Sequence, residues 1–303
     1  FSLYNDIRKI GELIEKERFD IVHTHGSQDS WAAALAVRFA KRRPPIIRTK
    51  HNIFPIQDHF ANRWLYGKAM DSIICISGAI YEYCAAKSYI AREKLSVIHS
   101  AVDAERFTKG NPGRIRTEYN LDGKFIAGIT GRLCQEKGHR FLFDAIKKIK
   151  DRIPELALLV VGTGTLYQKL MEYARELEIG ERIVFTGFRK DIPDVLADLD
   201  LFVMPSVSEG LGTAVLEAAA ASLPIIASNV GGIPDIIQTG VNGLLVPPEN
   251  PDALSEAILT LYSQRERATI FGKAAREHVQ RNFSESALGR KTEEVYLKLI
   301  QKS

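Results

Sequence analysis

Short apolar runs alternate with amphipathic, helix-length segments along almost all of this chain, and no other feature constrains its fold as strongly. A helical stripe of Leu3, Ile7, Ile10 and Ile14 is followed by the run "FDIVHTH", which ends at His25. Helices expected near 29–42, 58–68 and 79–88 then alternate with "PIIRTKH", "DSIICIS" and "LSVIHS". Apolar, β-branched runs too short to be helices, each separated from the next by a helix, predict a parallel sheet covered on both faces.

The rhythm breaks at 103–122, "DAERFTKGNPGRIRTEYNLD", which reads as a linker, and then restarts with "KFIAGITG", "LALLVVG", "RIVFTG", "DLFVMPS", "LPIIAS" and "GLLV". The fold class expected is therefore α/β, with two doubly wound parallel-sheet domains. The first covers 1–107 and the second 108–280, with a C-terminal helix over 281–303 that can cross back to the first. Sheets of this type bind ligands outside the carboxyl ends of their strands, so the turns after those strands are where function is sought.

Length and composition agree: 303 residues suffice for two cores, and 45% hydrophobic with 26% charged residues excludes a disordered chain. Cys75, Cys84 and Cys134 are odd in number and scattered among apolar residues, which points to a reducing, cytoplasmic compartment rather than a disulfide framework or zinc site. No apolar run reaches the roughly 20 residues of a membrane span. A net charge of +4 gives no case for nucleic acid, but 30–57 carries six Lys or Arg and no acid. That stretch reads either as a solvated helix end or as a face for anionic lipid or a phosphorylated acceptor.

Three turns carry the chemistry. "GRLCQEKGH" places Arg132 and Lys137 at a strand-to-helix turn where Gly131 lets the chain bend, an arrangement suited to a diphosphate. "VVGTGTLYQ" offers Gly162 and Gly164 without the third glycine or acid of a dinucleotide fingerprint. In "PSVSEGLGTAVLEAAAAS", Glu209 precedes Gly210, Leu211 and Gly212, and a helix begins near Thr213. A carboxylate there can accept from sugar hydroxyls while free helix amides face an oxygen. Glu217 lies one turn further on an otherwise apolar helix, where an unpaired carboxylate must find a donor. Gly231 and Gly232 precede another helix start. Asp198 and Asp200 have the spacing of a manganese motif but stand at the entrance of an apolar strand, which favours capping. His23 and His25 alternate along a strand and are expected on opposite faces, unable to share an ion. His51 ends its strand at the edge where the first domain faces the second.

Taken in order, "GRLCQEKG", "VVGTGTLYQKL", the segment from "RIVFTGFRKDIPDV" to "NVGGIPDII" and "NGLLVPPENPDAL" resemble the signature of glycosyltransferase family 4, retaining enzymes of the GT-B fold. The Glu, seven residues, Glu spacing of 209 and 217 is its most specific element, and "DIVHTHG", "RTKH" and "VIHSAVDAERF" are similar to first-domain markers. The resemblance implies two Rossmann-like domains facing across a cleft and a hexosyl transfer from a nucleotide diphosphate sugar, UDP-linked in preference, to a glycan or lipid-linked acceptor. It implies that Arg132 and Lys137 hold the diphosphate and that Glu209, with the amides of Gly210, Leu211 and Gly212, contacts the sugar. Glu217 binds the ribose, the backbone at Phe188 and Arg189 meets the base, and His51 approaches the reacting sugar. No metal and no cofactor beyond the sugar nucleotide is implied. The implied setting is cytoplasmic, with peripheral contact to the inner, anionic face of a membrane, on a route to cell-envelope polysaccharide.

Two departures stand out. Leu211 occupies a position where the family usually has Phe, and the chain opens at a helix that family members reach only after a strand, a glycine-rich loop and further residues. The second departure gives the expectation that the first sheet lacks its N-terminal strands and that turnover is affected. Two alternatives stand beside transfer: a nucleotide-sugar epimerase of the same fold, and a nucleotide-binding module without turnover.

Overall fold

The computed structural model describes residues 2–301. It divides into two compact units, one made by the chain up to Ser100 together with the segment from Ser286 on, the other by Ala101–Glu285. The first unit contains α1 (Ser2–Glu17), β1 (Val22–Thr24), α2 (Ser27–Phe39), β2 (Ile46–Lys50), α3 (Phe60–Trp64), β3 (Ser72–Cys75), α4 (Gly78–Ala85) and β4 (Leu95–Val97). Its strands pair in parallel in the order β1-β2-β3-β4.

β2 is buried along its whole length although it carries two cations, Arg48 and Lys50, which are 6% and 4% exposed. The Arg48 guanidinium lies 4.8 Å from the Tyr66 ring centroid, and Lys50 Nζ donates to the Phe54 carbonyl at 3.2 Å. Aromatic faces and a carbonyl thus replace part of their lost hydration. Two of the six cations counted in 30–57 are therefore internal, whereas Arg38, Lys41 and Arg43 are exposed. The helix expected over 58–68 ends at Trp64 and continues as a wider π turn, Leu65–Ala69. A Cβ at Gly67 in that turn would stand 2.5 Å from the Tyr89 carbonyl.

The second unit contains α5 (Arg114–Glu118), β5 (Phe125–Thr130), α6 (His139–Ile149), β6 (Leu156–Val161), α7 (Tyr167–Glu176), β7 (Ile183–Gly187), α8 (Ile192–Ala197), β8 (Leu201–Met204), α9 (Thr213–Ala220), β9 (Ile225–Ser228), α10 (Ile233–Ile236), β10 (Leu244–Val246), α11 (Pro251–Ser263) and α12 (Arg265–Asn282). All its strands are parallel, in the order β10-β9-β8-β5-β6-β7. The order reverses between β5 and β8, the switch point at which doubly wound sheets take ligands. β5, β6 and β8 are buried throughout and pack through Phe143, Ile146 and Ile258 into one core. After α12 the chain enters α13 (Glu285–Ile300), whose Val295, Tyr296 and Leu299 pack on Ile47, Ile74 and Ile98 of the first unit.

The segment expected to be a linker is part of the second unit. Phe107 and Ile115 are buried, and Asp198 accepts from the amides of Gly113 at 2.5 Å, Ile115 at 2.7 Å and Arg116 at 3.1 Å. Asp200 Oδ2 accepts from Ile126 N at 2.8 Å and Arg116 Nη2 at 2.9 Å. The two carboxylates therefore hold backbone and an arginine, which accounts for their spacing without a metal. Replacing Asp198 with alanine strands three amides, at least one of them buried, and is expected to lower stability by about 2–4 kcal/mol. Chemical denaturation tests this; an unfolding midpoint equal to the wild type would show that the contact is not what anchors 103–122.

Candidate active site

The turns after β5, β6, β7 and β8 converge on one cavity of about 410 Å³ in the second unit. Among the residues singled out from the sequence, Gly131, Arg132, Lys137, Gly162, Phe188, Arg189, Thr213 and Glu217 line it. Backbone geometry explains why the first two turns close on each other. Gly131 and Gly162 have φ of 149° and 138°, and a Cβ at Gly162 would stand 1.9 Å from the Gly131 carbonyl. Gly164 does not line the cavity. Its open side lies against Leu133, whose carbonyl a Cβ would meet at 2.3 Å, so this glycine serves loop packing rather than close approach to a ligand.

Glu209 is likewise turned inward. Its Oε1 accepts from Lys137 Nζ at 2.5 Å and from Ser206 Oγ at 2.8 Å, and the two charged side chains are only 10% and 18% exposed. The pair ties the turn after β8 to the turn after β5, helped by Val207 N donating to the Glu136 carbonyl at 2.8 Å. Gly231 belongs to this packing as well, because a Cβ there would stand 1.8 Å from the Glu209 carbonyl. Leu211 is buried, and Gly212, at φ 98°, caps α9. Neither they nor Gly210 reaches the cavity wall, whereas Thr213 at the helix start does. The first amides of α9 have no intrahelical partner and point out of its N-terminus.

Charges on the wall fall into two kinds. Arg189 is already saturated: its guanidinium donates to both Glu118 oxygens at 2.6 and 2.9 Å and to both Asp191 oxygens at 2.9 and 2.7 Å, which holds its charge firmly. Only its backbone is free for a ligand. Phe188 beside it is 70% exposed, an apolar ring held at the edge of the cavity. Arg132 is exposed and, among the described residues, has no ion pair. The half-buried Glu217 carboxylate has no hydrogen-bond donor among the described residues. Burial pushes its pKa up, and the charge of Arg106 offsets this only in part.

In the first unit, the structure overturns the expectation that His23 and His25 point to opposite faces. β1 ends at Thr24, so the strand alternation no longer applies to His25, and the two rings stack with centroids 4.5 Å apart. His25 Nδ1 then meets His51 Nε2 at 2.9 Å, and His23 bonds Tyr296 and Thr49 at 2.7 and 2.8 Å. Burial lowers the pKa of His51, reinforced by His25 and Arg48, and burial with the two neighbouring histidines brings His23 down to about 4. No spacing in the sequence announces that His51 and Tyr296 complete this row of rings, nor that Glu118, 71 positions away, joins the neighbouring Asp191 in clamping Arg189, because these partners come from separate elements.

Residues 113–278 match the family described as glycosyl transferases group 1, and residues 2–106 match the one described as glycosyltransferase family 4. The chain belongs to glycosyltransferase family 4. This glycosyltransferase is 28% identical to the UDP-Gal:alpha-D-GlcNAc-diphosphoundecaprenol alpha-1,3-galactosyltransferase of Escherichia coli, over 99% of this chain and 81% of that protein. It is 30% identical to spore coat protein SA of Bacillus subtilis, over 90% and 77%. Among solved structures, a glycosyltransferase from Rickettsia africae superposes with a TM-score of 0.90 at 25% identity, covering 99% of this chain and 82% of the other. Anabaena Alr3699/HepE in complex with UDP-glucose gives 0.85 at 21%, covering 96% and 82%, which supports the GT-B fold.

The raised pKa of Glu217 has a thermodynamic sign. A carboxyl whose folded pKa lies above its unfolded value of about 4.3 stabilises the fold only at low pH, and this contribution is lost as pH rises through the folded pKa. Glu217→Gln is therefore expected to raise the melting temperature at neutral pH, with the gain vanishing below about pH 4. Melting curves of both proteins across this range test it; a pH-independent difference would contradict the unpaired, buried carboxylate.

Proposed function

We propose that this glycosyltransferase moves a hexosyl group from a nucleoside diphosphate sugar, a UDP sugar in preference, to a glycan or lipid-linked acceptor, with retention of configuration and without a metal ion. The observation that carries the donor assignment is the placing of one unpaired cation, Arg132, and one unpaired carboxylate, Glu217, on the walls of a single cavity. A nucleoside diphosphate complements both, with phosphates at Arg132, Lys137 and the α9 amides, and ribose hydroxyls donating to Glu217. The base lies by Phe188 and the backbone of Arg189. Glu209, beside Lys137, receives hydroxyls of the transferred sugar.

In the transfer step the bond from the anomeric carbon to the donor phosphate oxygen breaks, and a bond from the acceptor hydroxyl oxygen forms on the same face. The departing diphosphate carries off the electron pair and takes the acceptor proton through a phosphate oxygen. Arg132, Lys137 and the helix amides oppose the negative charge that develops on the leaving group, an electrostatic role that elsewhere falls to a divalent ion. Support for transfer over epimerisation comes from the relatives, which include a galactosyltransferase acting on a diphosphoundecaprenol-linked sugar and GDP-mannose-dependent mannosyltransferases.

Arg132→Ala breaks no ion pair and is expected to leave folding unchanged while weakening UDP binding by roughly 10- to 100-fold, the range of a charge-assisted hydrogen bond. Glu209→Gln keeps an acceptor for Lys137 and is expected to lose about 100-fold in turnover with UDP affinity nearly unchanged. EDTA is expected to change nothing. Calorimetry with UDP and transfer assays check all three; UDP binding unaffected by Arg132→Ala, or turnover lost in EDTA and restored by manganese, would overturn the corresponding part. Binding without turnover would favour the nucleotide-binding module.

No helix among the described residues is long and apolar enough to cross a membrane. Peripheral contact is carried instead by Arg38, Lys41 and Arg43 with Phe39, which is 80% exposed. Sedimentation with phosphatidylglycerol vesicles is expected to show binding that falls with salt and is lost when the three cations are reversed; equal binding to neutral phosphatidylcholine would remove this role.

A further inference from the structure

The turn that brings Arg132 and Lys137 to the nucleotide cavity has a second set of residues, Cys134, Gln135 and His139, that line another cavity. It is the larger of the two, at about 760 Å³, and shares no lining residue with the first. Its walls come from α6 and α7, with the α11 start at Pro251 and Val207 closing it. A cavity of this volume is within the range of small-molecule sites.

His139 is the residue that the fold alone does not explain. It opens α6, is 2% exposed, and neither ring nitrogen makes a well-formed hydrogen bond, the Cys134 carbonyl lying near the ring without completing one. The Cys134 carbonyl near it already accepts from Lys137 N at 3.2 Å. Burial, with repulsion from Lys137, lowers its pKa to about 4, opposed only weakly by the Cys134 backbone, so the ring is neutral at physiological pH. A neutral imidazole has one donor and one acceptor, and leaving them unmade in a buried site is unfavourable.

The remaining lining selects the class of ligand. Asp144, Glu172, Glu176 and Glu249 outnumber Arg140 and Lys169, which disfavours phosphates and carboxylates. Arg140 is stacked over Tyr173 at 4.8 Å, and Asp144 accepts from the Tyr173 hydroxyl, so both of these charged groups are already engaged by that side chain. Carboxylates accept from hydroxyls, a neutral imidazole both donates to and accepts from them, and Phe141 and Tyr173 offer flat faces to ring C–H groups. We propose that this cavity is a second ligand site, for an uncharged saccharide, in which the His139 ring hydrogen-bonds a sugar hydroxyl. It is distinct from the donor site and does not rest on the donor assignment.

The test uses the whole chain with ¹⁵N-labelled histidine, saturated with UDP, and titrated separately with maltose, lactose and methyl α-glucoside. At least one of these sugars is expected to shift the His139 ring signals in a saturable way. His139→Phe keeps the ring volume, removes the two unmade hydrogen bonds and is expected to fold with equal or greater stability. Its affinity for the same sugar, read by ligand-observed NMR, is expected to fall at least about tenfold. The proposal is overturned if none of the three sugars moves the His139 signals, or if His139→Phe binds as tightly as the wild type. UDP binding without any sugar response would overturn this site and leave the donor site standing; a His139 response without UDP binding would do the reverse.

Discussion

The ion pair between Lys137 and Glu209 holds together the two turns on which everything functional in the second unit depends. These turns follow β5 and β8, adjacent strands at the point where the sheet order reverses, so they diverge unless something ties them. The tie is charged, mostly buried and reinforced by Ser206 and by the Glu136 carbonyl. Glycines allow it to close: Gly138 has no room for a side chain beside the Pro205 carbonyl, and Gly231 none beside that of Glu209. A buried ion pair is a weak source of net stability, and its value here is geometric, since it fixes where Lys137 and the α9 N-terminus stand.

Around that tie, charges have been sorted by whether the protein itself neutralises them. Arg189, Asp198 and Asp200 are fully engaged and act as structure. Arg132 and Glu217 are not, and both face the cavity. A chain that stabilised its own fold alone would pair or neutralise them, because an uncompensated carboxylate away from water raises the free energy of the folded state. The same reasoning singles out His139 on the second cavity, where the uncompensated group is a neutral ring rather than an ion.

Much of the site was legible because it is local. A strand, a glycine-bearing turn and a helix start lie within a few residues of each other, so Arg132, Lys137, Thr213 and Glu217 could be assigned from their neighbours. Gly164 and Gly231 were harder, since a glycine required by close packing and one required by a ligand look alike in sequence. The histidines and the buried cations are not legible in the sequence for another reason. Period-two alternation describes a strand only while the strand lasts, and β1 stops one residue before His25; Arg48 and Lys50 look like a surface stretch until Tyr66 and Phe54 arrive from other elements.

The sequence by itself determined the two parallel-sheet α/β units, which follow from hydrophobic period, and the family and the turns that line the candidate cavity, which rest on motifs of residues adjacent along the chain. Tertiary structure decided which charges remain free. Lys137 meets Glu209 across 72 positions and Arg189 meets Glu118 across 71, and no local pattern states which partner a side chain will find. Whether a charge is silent structure or an available binding group depends on that pairing in a poorly hydrated interior, and the pairing exists only once the sheet has brought its strands together.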